Sequence, residues 1–153
     1  MLKEIDIKAG DLTFGQRIEL GKILTSGEPE FDIFKQCVEC LYGKRPRLTL
    51  LNVKENIRIF TNIVEGIKYW MDLEKELLKY EPTIQERRAG ISDLTAKVGE
   101  YATIKALAKT YAQDPDTILT WKYGKVFGLL YTDLEEYKFQ LKLHKQMEAS
   151  NKK

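Results

Sequence analysis

Cys37 and Cys40 form a C-x-x-C pair, the spacing of a thiol–disulfide couple or of half a zinc site. His144 is the only other soft ligand in the chain, so Cys and His alone cannot supply a four-ligand zinc set within one copy. A redox pair needs its first cysteine at a helix N-terminus, where the helix dipole favours the thiolate. Here the pair falls in the middle or end of the helical run Phe31 to Leu41, which predicts packed, reduced thiols. Serine occurs only at 26, 92 and 150, in polar or terminal surroundings, and with the single His144 near the C-terminus no nucleophile–base arrangement emerges. Gly15 and Gly21-Lys22 approach a phosphate-binding loop. Five residues separate the glycines instead of four, and Ile23 stands where Ser or Thr would hold magnesium. Glu135-Glu136 lies on a charged helix face and reads as solvated, with no acid–base partner. The expectation is a protein that is not an enzyme, with no catalytic residue, cofactor or metal.

The elements that would position any such groups are helical. The 153 residues suit about one domain, and 43% apolar with 31% charged residues is a folding composition, not a disordered one. With 25 basic and 23 acidic residues the formal charge is +2, too balanced to imply nucleic acid or membrane by itself. Apolar runs such as Val126 to Tyr131 are far shorter than the roughly 18 residues a membrane span requires. The charged start Met1 to Asp6 lacks the pattern of a secretory signal, so a cytoplasmic location is expected.

Residues 2 to 8 alternate loosely and predict a short strand or extended arm, with Arg47 to Leu51 as the best pairing candidate. Thr13 with Gln16 three residues later is a capping box that starts a helix over about Phe14 to Leu24. Pro29 is expected as the first residue of a second helix with Phe31, Phe34, Val38 and Leu41 on its stripe, ending at Gly43. Val53, Ile57, Phe60, Val64, Ile67, Met71 and Leu78 predict a long third helix, with Gly66 as the place for a kink. A short helical turn after Pro82 is expected to lead into a polar linker, Glu86 to Gly90. A further helix runs from about Thr95 or Tyr101 to Ala112. Asp114 and Pro115 cap and open a short one, and the last begins near Tyr123 with Phe127, Leu130, Leu134, Tyr137, Leu141 and His144 in phase. The fold expected is mostly α, a multi-helix bundle with a helix-turn-helix-like corner and at most one short strand pair near the N-terminus. Its halves, 1–85 and 86–153, are read as one structural unit; the first 82 residues carry net −1 and the rest net +3.

Two constellations bear on function. Residues 104 to 121 carry the packing skeleton of a helix-turn-helix, with Leu107, Ala108, Ala112, Ile118 and Trp121. As a DNA reader its second helix would present Asp114, Asp116 and Thr117 where basic or amide side chains are needed. A structural corner is the preferred reading. A DNA-binding regulator is the alternative, and it would use Lys105, Lys109, Lys122 and Lys125. The second constellation is the C-terminal stripe, which either closes the chain's own core or docks on another chain. Phe127, Leu130 and Leu134 read as core, while Tyr137, Leu141 and His144 stay open between core and partner.

Leu12 to Leu24, Ala106 to Lys109, Asp114 to Asp116 and Trp121 to Phe127 resemble, in texture and order, small helical proteins of tailed-phage and prophage structural modules, of the tail assembly chaperone kind. The resemblance covers about half the chain and carries no catalytic signature. It implies a non-enzymatic assembly factor that coats a long helical tape-measure protein and recruits tail-tube subunits. Such a chaperone needs an apolar patch with a polar rim. Trp121, Tyr123, Tyr131, Tyr137 and Leu141 are the residues named for that partner contact. A structural virion protein is a further alternative, and the oligomeric state is left open.

Overall fold

The computed structural model describes residues 5–44 and 53–150. Thr13 opens the first helix, α1 (Phe14–Leu24), as its capping box requires. The Thr13 hydroxyl accepts from Gln16 N at 3.1 Å and the Gln16 amide oxygen accepts from Thr13 N at 2.9 Å. The same Gln16 side chain donates to the carbonyls of Cys40 and Leu41, at 3.2 and 3.4 Å, and so satisfies the C-terminal end of α2 (Glu30–Tyr42). Pro29 is the N-cap of α2, one position earlier than expected, and Gly43 ends it. Phe31 departs from the expected stripe: it is exposed and lies under the Lys35 ammonium.

The third helix, α3 (Val53–Leu77), passes through Gly66 without interruption. Gly66 serves a different purpose: a Cβ there would lie 2.6 Å from Ile7 Cγ2, so its missing side chain admits Ile7 onto the helix. This contact, not a strand, explains the alternation at the N-terminus. Residues 6–11 form a tight turn in which Asp6 accepts from Ala9 N at 3.0 Å and Ile7 O from Gly10 N at 3.0 Å. Leu2 to Glu4 and the proposed partner Arg47 to Leu51 lie outside the described residues.

The stretch expected to be a linker is helical. Thr83 and Glu86 form a second capping box that starts α4 (Ile84–Arg88), followed by α5 (Ile91–Val98) and, after Gly99, α6 (Glu100–Thr110). The single helix expected before Ala112 is therefore two. Asp114 caps α7 (Pro115–Leu119) through a 2.8 Å bond from Asp116 N, with Pro115 at the first helical position as expected. α8 (Tyr123–Ser150) completes a mostly α, multi-helix fold of eight helices among the described residues.

One buried cluster draws on both halves of the chain, including Ile7, Leu12, Leu20, Val38, Ile67, Leu107, Ile118 and Val126. Backbone bonds fasten the start of α1 to the start of α8: Phe14 N donates to Trp121 O and Tyr123 N to Leu12 O, both at 2.8 Å. They make an isolated antiparallel bridge between Thr13 and Lys122, and no strand occurs among the described residues. No described helix is long and apolar enough to cross a membrane.

Candidate functional site

The most polar part of the interior joins α1, α3 and α8. Arg17 makes two parallel bonds to Glu74, Nε to Oε1 at 2.9 Å and Nη2 to Oε2 at 2.7 Å, a geometry that suits a guanidinium fork. The Tyr123 hydroxyl donates to the same carboxylate at 2.5 Å. Burial first, and the Glu74 bond second, push the Tyr123 phenol well above the usual tyrosine range. It stays protonated near neutrality and works as a fixed donor. Beside these groups a cleft of about 590 Å³ opens, with Lys75, Glu100 and Thr103 on its wall. Within the triad the Arg17 and Glu74 charges neutralise one another, and the Tyr123 hydroxyl is held by the same carboxylate.

Tyr123 therefore does not sit on a partner-binding rim. It is 3% exposed because its ring is stacked on Phe14 at 5.9 Å and edge-on to Trp70 at 5.0 Å. The other residues named for partner contact are more open. Trp121 is half-buried against Tyr111, Tyr131 and Tyr137 are exposed, and Leu141 is half-buried. Tyr137 meets the α3–α4 junction: its ring lies 5.8 Å from that of Tyr80, whose hydroxyl donates to Glu86 at 2.5 Å. That bond to Glu86 is the main reason the Tyr80 phenol is pushed up and the Glu86 carboxyl down.

The four lysines of the DNA-binding alternative are divided among different tasks. Lys105 and Lys109 are exposed one turn apart on α6. Lys122 is paired with Asp11 at 2.6 Å, and Lys125 lies 3.9 Å over the Trp121 ring. Leu107, Ala108 and Ile118 are buried at the corner of α6 and α7 as expected, whereas Ala112 lies past the end of α6 and is exposed. The turn carries Ala112 at φ +50°, the left-handed region. Relief of that strain, about 1–2 kcal/mol, outweighs the extra unfolded-chain entropy of glycine, about 0.4–1 kcal/mol. Ala112→Gly is accordingly expected to stabilise the fold by about 0.5 kcal/mol, read as a raised urea midpoint at unchanged slope.

Cys37 is fully buried and Cys40 half-buried, both as free thiols. Burial is the chief cause that pushes Cys37 up to about 12, with Cys40 adding to it, and Cys40 up to about 11, with Glu19 adding to it. Both are neutral thiols at pH 7, without the lowered pKa that marks a reactive cysteine. Among the described residues no group of three or more His, Cys, Asp and Glu side chains is placed to hold a metal ion.

α8 is the element that remains. Its 28 residues span about 42 Å, yet only Tyr123 and Val126 are buried, and Phe127, Leu129 and Leu130 complete its packing on the core. Beyond them Phe139, Leu143 and Met147 are exposed apolar side chains that the expected stripe did not include. Comparison of the chain with protein families, curated proteins and solved structures finds no match.

Proposed function

We propose that this chain is a non-enzymatic assembly factor of the tailed-phage or prophage tail-assembly chaperone kind, which holds an apolar helical segment of a partner, the tape-measure or tail-tube protein, against α8. The observation that carries the reading is that α8 continues for about five turns past Leu130, its last side chain on the buried cluster, and keeps Leu134, Tyr137 and Leu141 in phase with the core-facing side chains, with the Tyr80 ring against Tyr137. A helix with an apolar row beyond its own domain is the usual donor of a helix–helix interface. The spent charges around Glu74 and the neutral thiols of α2 support a binding role over a chemical one.

Co-expression with the tape-measure protein tests it. The partner is expected to stay in the soluble fraction and co-purify with this chain. Tyr131→Asp combined with Leu141→Asp should cut the recovered complex about tenfold or more while far-UV circular dichroism stays unchanged. A tape-measure protein equally soluble without the chain would refute the reading. Recovery of the chain from finished particles would make it a virion component instead.

A further inference from the structure

The distal half of α8 has a second apolar row, and it points away from the first. Phe139, Leu143 and Met147 are four residues apart and so stack on one face, 61%, 39% and 58% exposed. At 3.6 residues per turn they stand about half a revolution from Leu134, Tyr137 and Leu141. Whatever covers one row leaves the other in water.

Charge identifies the occupant. Asp133, Glu135 and Glu136 precede the row and Lys142 flanks it, while Lys138 and Lys145, each four residues beyond a member of the first row, stand on the other face, with Glu148 as the one acid after them. The segment thus runs from acidic to basic along its length. Lys138 is paired with Glu135 at 2.7 Å, but Asp133, Glu136, Lys142 and Lys145 have no ion-pair partner among the described residues. We propose that this outer face docks on the same face of a second copy, with the two α8 helices antiparallel about a two-fold axis near Phe139.

Three features favour that partner and that direction. An isologous contact needs a surface complementary to itself, and a segment acidic at one end and basic at the other is complementary only to its own reverse. Parallel pairing would set acid on acid and lysine on lysine. Glu135 and Lys142 also border the apolar row on the same side, so antiparallel helices bring each beside the other's counterpart. Phe139 then meets its symmetry mate, with Leu143 of each copy beside it. Two short helical segments bury a small area, which makes a transient, concentration-dependent dimer. The inference stands apart from the proposed function because the tape-measure reading uses the opposite face of the helix.

Sedimentation velocity over a roughly hundredfold range of chain concentration provides the test. The wild-type coefficient is expected to rise from monomer towards dimer, and Phe139→Asp to stay monomeric throughout. Glu135→Lys and Lys142→Glu should each weaken the dimer about tenfold, since symmetry turns two attractive pairs into two repulsive ones. The double variant restores opposite charges across the axis and is expected to return to within about threefold of wild type. All three positions are exposed and remote from the buried cluster, so circular dichroism should not change. A wild-type monomer at every concentration, or a dimer indifferent to Phe139→Asp, overturns the proposal. A double variant no better than the singles overturns the antiparallel arrangement.

Discussion

Trp70→Ala is expected to destabilise the fold by about 4 kcal/mol. Trp70 is 6% exposed on α3 and stands at the crossing of three parts of the chain. Its ring meets Tyr123 and Phe127 of α8 edge-on at 5.0 and 5.2 Å, and its indole N–H donates to Ile7 O at 2.6 Å. Alanine removes the ring contacts and the bond together and leaves a cavity that α8 cannot fill without moving. Trp70→Phe separates the two losses. It keeps most of the apolar volume, and Ile7 O keeps its bond from Gly10 N, so the cost should fall to about 1–2 kcal/mol. Urea denaturation followed by far-UV circular dichroism measures both; a loss below about 1.5 kcal/mol for alanine would mean that α8 is not held through this residue.

Gly10→Ala is expected to cost about 3 kcal/mol. Gly10 has φ +76°, and a Cβ there would lie 2.7 Å from both Cα and N of Gly124, with Trp70 Cζ2 at 3.1 Å. The obstructing atoms are backbone, so no rotamer change relieves the clash and the start of α8 must shift. Gly27 supplies the control. It has nearly the same φ, +75°, with nothing within 4 Å of its Cβ position, so Gly27→Ala carries only the left-handed penalty of about 1 kcal/mol. The difference between the two variants, about 2 kcal/mol, measures the close approach of Gly10 and Gly124 alone. Equal losses at the two sites would show that the approach is not tight in solution.

What was legible in the sequence follows from how local the cause is. Thr13 with Gln16, and Asp114 with Pro115, fixed helix starts because capping acts over three residues. Thr83 with Glu86 carries the same signature, and the short turn expected after Pro82 is α4; the charges of Glu86, Arg87 and Arg88 read as linker and hide that the helix runs on to Arg88. The N-terminal alternation was real, since Ile7 is buried and its neighbours Asp6 and Lys8 are exposed. Its cause is Gly66 on α3, a partner that no local pattern announces. Tyr123 reads as a surface aromatic until Glu74, distant in sequence and held by Arg17, accepts from its hydroxyl. The outer row of α8 escapes a single-stripe reading because it lies in antiphase with Leu134, Tyr137 and Leu141, and a helix apolar on opposite sides shows no single dominant face.

The bridge between the first and last helices constrains how the protein is made. Asp11 and Lys122 are 111 residues apart, and the bonds beside them tie residues 10–14 to residues 121–124. A ribosome adding about 5–20 residues per second needs roughly ten seconds to reach the second partner after the first has emerged. During that interval Ile7 and Leu12 have α3 to lean on but not α8, and Trp70 lacks Tyr123. The native core therefore closes only once residues 121–126 have emerged, and a nascent chain arrested before residue 121 should be open to proteases that a chain carrying α8 resists.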